Sequence, residues 1–145
     1  MEIVLSLRKN LANALVYSIQ AQSHHWNVRG MLFSQLHDFF GEIYANAYGM
    51  IDPLAEYIRI EGAIAPASVA DIWKDKSVTD LNHVPGTARE MLENILVLNT
   101  SFTQSLQELM ALAELNKRYG LADWVSAQID TLSKFDWQIK AHLEG

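Results

Sequence analysis

The sequence predicts an all-α protein: a four-helix bundle with one short extra helix in a long connection. Apolar residues recur at three- and four-residue intervals through most of the chain, as on helices packed by one face. Turn-forming residues gather at a few places, above all between positions 63 and 85. At 145 residues, half of them apolar, the chain is one domain, residues 1–145, with a substantial core.

Residues 2–28 form the first expected helix, striped by Leu7, Leu11, Leu15 and Ile19 and ended by Val28-Arg29-Gly30. Ser34 is the expected N-cap of a second, running to about Gly62, with Leu36, Phe40, Ile43, Ala47, Ile51, Leu54 and Ile58 on one face. Pro53 interrupts that stripe, and Gly49, four residues earlier, eases the crowding a mid-helix proline causes, so a kink is expected. Residues 63–85 carry Pro66, Asp80, Asn82 and Pro85 and read as a crossover, with a short helix over Ser68–Trp73 capped by Ser68. A third helix is expected over about 86–117, through Met91, Ile95, Leu98, Phe102, Leu106 and Leu109. Gly120 separates it from a fourth over 121–143, striped by Val125, Ile129, Leu132, Phe135 and Ile139. Two hairpins joined by one long crossover describe a ferritin-like four-helix bundle.

Composition narrows the function. Only 19% of residues are charged, below the usual quarter, which points to surface hidden in an oligomer. No cysteine is present, so thiolate chemistry is excluded. No apolar run approaches a membrane span and the first residues lack a signal-peptide layout, so the expected location is cytoplasmic. A net charge of −6 argues against general affinity for nucleic acid.

The chemistry-bearing residues are His25, within His25-Trp26-Asn27-Val28-Arg29-Gly30, then His37, Asp52 and Glu56. Two imidazoles and two carboxylates suit a divalent transition metal. A hairpin turning near Gly30 brings His25 opposite His37, while Asp52 and Glu56, four apart, share a helix face. On one unbroken helix His37 and Asp52 would be roughly 22 Å apart and offset by about 60°. One ion cannot touch both within a chain, but two such helices packed antiparallel about a two-fold axis bring His37 of one to the carboxylates of the other.

Plainer roles are expected elsewhere. His24 caps or faces solvent, and His83 and His142 lie at the surface. The tryptophans belong to core or interface, and Arg59 is a possible partner for Glu56. No glutamate has histidine three residues later, so the in-bundle di-iron pattern is missing and the interior is expected to be apolar.

The run Ser-His-His-Trp-Asn-Val-Arg-Gly-Met-Leu-Phe-Ser-Gln-Leu-His, with Asp52-x-x-x-Glu56-x-Ile58-Arg59 and the closing Ala122-Asp123…Lys134-Phe135-x-Trp137 segment, resembles the Dps family, the miniferritins. The resemblance spans nearly the whole chain. It implies a hollow twelve-subunit shell that oxidises ferrous iron, with hydrogen peroxide or dioxygen as oxidant, and stores the ferric product. It implies His25 and His37 as ligands from one subunit, Asp52 and Glu56 from its two-fold neighbour, Trp26 beside the site, and iron as the metal, or zinc in its place. Trp137 is a further candidate neighbour.

Gly41 departs from the pattern, standing where the family usually has aspartate. That removes a ligand from a second metal position. Neither Asp38 nor Glu42 faces the same way, and Gly41→Asp is expected to strengthen that position. The alternatives are therefore a shell with a degraded ferroxidase centre, acting as scaffold or metal buffer, and a nucleoid-compacting protein. DNA binding is disfavoured by the charge and by a helix that starts almost at Met1, without the lysine-rich tail of many relatives. The segment corresponding to an acidic three-fold pore carries Lys117 and Arg118, leaving Asp123 and Asp130 as pore candidates.

Overall fold

The computed structural model describes residues 1–145 as six helices and no strands: α1 (Glu2–Asn27), α2 (Phe33–Gly49), α3 (Ile51–Ile60), α4 (Val69–Trp73), α5 (Ala88–Leu115) and α6 (Tyr119–Leu143). Hairpin α1–α2/α3 packs against hairpin α5–α6, and the crossover holding α4 joins them. None of the helices is long and apolar enough to cross a membrane.

The core follows the expected stripes with one shift. Leu36, Phe40, Ile43, Leu54, Ile58, Ile95, Leu98, Phe102, Leu106 and Ile139 are all buried. On α1, however, Ile19 is exposed, and the buried line runs Ile3, Leu7, Leu11, Ala14, Tyr17, Ala21, His24. Steps of four residues advance about 400°, so a strict four-residue series drifts around the helix and leaves the core.

Helix ends explain most boundary differences. Ser34 is not a cap: α2 starts at Phe33 after Leu32, with no side-chain cap. Ser68 does cap α4, its hydroxyl accepting from Asp71 N at 3.1 Å, and Thr87 caps α5 by accepting from Glu90 N at 3.1 Å. The second expected helix is interrupted at Met50, which keeps right-handed helical angles (φ −83°, ψ −18°), so it bends more than it ends. Pro53 has no N–H for the Gly49 carbonyl, which accounts for the interruption there. The α3 terminus uses Gly62 at φ +89°, with Gly62 N–H bonded to Arg59 O and Ala63 N–H to Ile58 O. The α5–α6 reversal is made by Lys117 and not by Gly120, which lies inside α6. Lys117 takes φ +58°, while Lys117 N–H reaches Glu114 O and Arg118 N–H reaches Ala113 O.

The interior is not wholly apolar, against expectation. A ladder of buried amides and hydroxyls lines the α1–α5 contact. Asn10 Nδ2 donates to Ser105 O at 3.1 Å, and Asn13 Nδ2 donates to Ser105 Oγ at 3.1 Å and Ser77 Oγ at 2.9 Å. Tyr17 donates its hydroxyl to Asn99 Oδ1 at 2.8 Å, and Asn99 Nδ2 donates to Leu132 O at 2.9 Å. Burial, then the nearby Asp136 carboxylate, pushes the Tyr17 hydroxyl well above the usual phenol range, so it remains a donor. These groups satisfy one another, which is why they can be inside.

Candidate metal centre

The α1–α2 hairpin brings His25 and His37 together as the spacing predicts. Their rings stack with centroids 3.7 Å apart and planes 18° from parallel. Each ring also bonds the other residue's backbone. His37 Nδ1 donates to His25 O at 2.7 Å, and His25 Nδ1 donates to His37 O. A carbonyl can only accept, so Nδ1 carries a proton in both rings, and the nitrogen left to hold a lone pair for a metal is Nε2. Neither Nε2 has a protein partner, and neither is a buried orphan, so both reach solvent. Backbone carbonyls that fix the tautomer and orientation of an imidazole are the usual outer support of a metal-binding histidine.

The surroundings are aromatic. Phe33 stacks on His37 with centroids 5.2 Å apart, and Tyr44 tilts toward His25 at 5.3 Å. Trp26 follows His25 at the end of α1 and is largely exposed, together with Met31, Leu32 and Phe33. The tryptophans are not core residues: Trp26, Trp73 and Trp137 are exposed, and Trp124 is half-buried against Tyr57.

Asp52 and Glu56 lie on the exposed face of α3, and neither forms a salt bridge. Arg59 does not pair with Glu56; it donates to Ala63 O at 2.9 Å. No group of three or more histidine, aspartate or glutamate side chains converges within one chain. The structure therefore brings the two imidazoles together and leaves the two carboxylates apart from them. A surface groove of about 530 Å³, lined by Asn27, Arg29 and Thr87 among others, contains neither histidine.

Position 41 faces His25 directly. A Cβ on Gly41 would lie 3.2 Å from His25 Nδ1 and 3.3 Å from Cε1. His24, expected at the surface, is buried, packed edge-on against Phe40 with its Nε2 accepting from Asn94 at 2.9 Å. Burial pushes its pKa down to about 4. His142 is half-buried, stacked on Phe39 with centroids 5.0 Å apart, and His83 is exposed.

Most of the basic side chains with a possible surface role are already engaged. Arg8 bonds Asp71 at 2.9 Å and Asp75 at 3.0 Å, fastening α4 to α1. Lys9 pairs with Glu108 at 2.8 Å. Arg118 makes two bonds to the nearly buried carboxylate of Glu61, at 2.7 and 3.3 Å. Of the pore candidates, Asp130 pairs with Lys134 at 3.5 Å and Asp123 is exposed.

A ferritin-type bundle with an imidazole pair on its surface and no ligand set in its interior is a recognisable class. Residues 4–145 match the ferritin-like domain family. A DNA protection during starvation protein from Brevibacillus brevis is 28% identical over 142 residues, covering 98% of this chain and 95% of that one. The X-ray structure of Dps from Thermosynechococcus elongatus superposes with TM-score 0.94 at 26% identity, covering 99% of this chain and 91% of that one. A DPS protein from Vibrio cholerae, described as one of the ferritin-like diiron-carboxylate proteins, has TM-score 0.90 at 25% identity over 99% of this chain and 89% of that one. The chain belongs to the Dps family of the ferritin-like superfamily.

Proposed function

We propose that this chain is the subunit of a cytoplasmic Dps-type shell, a dodecamer, that takes up ferrous iron, oxidises it at sites shared across two-fold interfaces and stores the ferric product. Iron is here the substrate and cargo. His25 and His37 supply nitrogen donors from one subunit, and Asp52 and Glu56 supply oxygen donors from the neighbour. The observation that carries the reading is the stacked imidazole pair, oriented by reciprocal backbone bonds with both Nε2 atoms free of protein partners, in a chain whose uncompensated carboxylates lie elsewhere. A mixed nitrogen and oxygen donor set suits ferrous iron, and zinc competes for it. Hydrogen peroxide is the favoured oxidant over dioxygen. Trp26 lies next in sequence to a donor and stands out from the surface as an aromatic wall of the site.

The centre holds one metal firmly, because position 41 offers no side chain where His25 faces it. Anaerobic ferrous titration by calorimetry, followed by a peroxide pulse monitored by absorbance, tests both points. One tight iron per site and oxidation after the pulse are expected. Two equally tight irons would refute the single-metal centre, and no oxidation would favour the second reading, a shell serving as metal buffer or scaffold. Gly41 is the observation behind that second reading.

A further inference from the structure

We propose that His24 is a positioning residue for the imidazole pair. With Asn94, Gln20 and Asp80 it forms a hydrogen-bonded chain that fixes the rotation of the last turns of α1, and so the place from which His25 meets α2. The proposal rests on the reading of His25 and His37 as metal donors. Between Gln20 and Asn27 the apolar stripe of α1 runs out: only Gln20, Ala21 and His24 are buried there. Burial of one alanine methyl is non-directional and cannot set the angle of a helix, so that task falls to the two polar side chains.

The donors and acceptors of this chain run in one direction only. Gln20 Nε2 donates to Asp80 Oδ1 at 3.0 Å and to Leu81 O at 3.1 Å, so its Oε1 is the end left to accept. Asn94 Nδ2 donates to that oxygen at 3.0 Å and turns its second hydrogen to His24 Nε2 at 2.9 Å. His24 Nε2 therefore accepts, and the ring's proton is on Nδ1, where no acceptor meets it. A buried donor without a partner is unfavourable, yet the ring keeps this setting. Phe40 of α2 packs edge-on against it at 5.7 Å while Asn94 of α5 holds Nε2. The last turns of α1 are thus tied to α2, α5 and the crossover at once. His25 is the next residue, and its Nδ1 must meet His37 O while His37 Nδ1 reaches back to His25 O at 2.7 Å. A side chain stands about 5–6 Å from its helix axis, so a turn of about 10° moves it by about 1 Å. Metal donors need to be held within about 0.5 Å, so a rotation that small already spoils the pair.

The test uses the assembled, metal-free protein and two variants that cut the chain from either end, His24→Leu and Asn94→Ala. Tyr17→Phe serves as a control that removes a buried bond elsewhere on α1. Nitrogen-15 spectra of the imidazoles, taken at a pH where the rings are neutral, read the tautomers and the bonds of His25 and His37. Calorimetry with zinc reads the donors, and thermal melting reads the fold. The unsubstituted protein should show Nδ1–H at His24. Both variants should shift the His25 and His37 ring signals and bind zinc roughly 10-fold more weakly. Tyr17→Phe should melt lower with those signals and the zinc affinity unchanged. Asn94→Ala alone suffices if His24→Leu does not assemble. Nε2–H at His24 in the unsubstituted protein, unchanged ring signals in Asn94→Ala, or equal weakening by Tyr17→Phe would overturn the proposal. If His25→Ala binds zinc as well as the unsubstituted protein, the donor reading fails instead. The metal-free spectra still decide the role of His24 in that case.

Discussion

Tyr17 and Asn99 form the middle rung of the buried ladder, and cutting that rung from either side should show how much the ladder holds. Both side chains are essentially solvent-free, at 0% and 1% exposure, and their bond is 2.8 Å long. Tyr17→Phe leaves Asn99 Oδ1 without its donor, at a cost of about 1–3 kcal/mol for a buried orphan. Asn99→Leu orphans the Tyr17 hydroxyl and removes the bond to Leu132 O, with a cost in the same range of about 1–3 kcal/mol. The double variant has no orphan at this rung, so its loss should fall short of the sum by about 1–2 kcal/mol. Thermal melts at matched protein concentration suit the measurement, since assembly makes the midpoint concentration-dependent. Each kcal/mol should move the midpoint by roughly 3 °C for a chain of this size. Strict additivity of the two substitutions would refute the direct coupling.

Three further outcomes are expected. His37→Ala and Asp52→Ala should each abolish most iron binding without unfolding the bundle, and co-assembling the two should recover about one site in each mixed two-fold pair; the intact site then takes its histidine from one chain and its aspartate from the other. Calorimetry on the mixture checks this, and no recovery would count against a shared site. Acid should destabilise the metal-free protein through His24: the unfolded chain binds the proton near pH 6.5 and the folded chain only near pH 4, so stability is lost as pH falls through that window, by up to about 3 kcal/mol, and no further below it. Denaturant unfolding from pH 7 to 4 should show a clearly flatter slope for His24→Asn, and an identical slope would remove His24 as the cause. Duplex DNA should not be retained at physiological salt, because each chain carries −6 and Arg8, Lys9 and Arg118 are held by acidic partners; a gel shift at stated ionic strength checks this.

The helices were legible because the core is a set of apolar stripes, and the histidine pair because a hairpin turning near Gly30 makes positions 25 and 37 face each other. What could not be read has a common physical origin. Asn10 and Asn13 look like solvent-facing residues until Ser105, more than 90 positions away, is known to meet them. His24 faces inward because Phe40 and Asn94 lie there, and neither is local to it in sequence. Gly120 attracted the turn that Lys117 makes, since a left-handed lysine is uncommon and carries no composition signal. The approach of His25 to position 41 could not be seen either, because it depends on how closely α1 packs on α2.

Met50 gives the two halves of the donor set separate rods. An unbroken helix would fix the rotation between His37 and the carboxylates, but here α2 carries the histidine and α3 carries Asp52 and Glu56. A change of bend at Met50 acts as a lever: it swings both carboxylates together and leaves the imidazoles where the α1–α2 hairpin holds them. In the proposed shared site, the span a metal must bridge then depends on the packing of Met50 and Leu54, both fully buried and neither a donor, as well as on the two-fold contact. Trimming either side chain should detune the centre from a distance, with every ligand still in place.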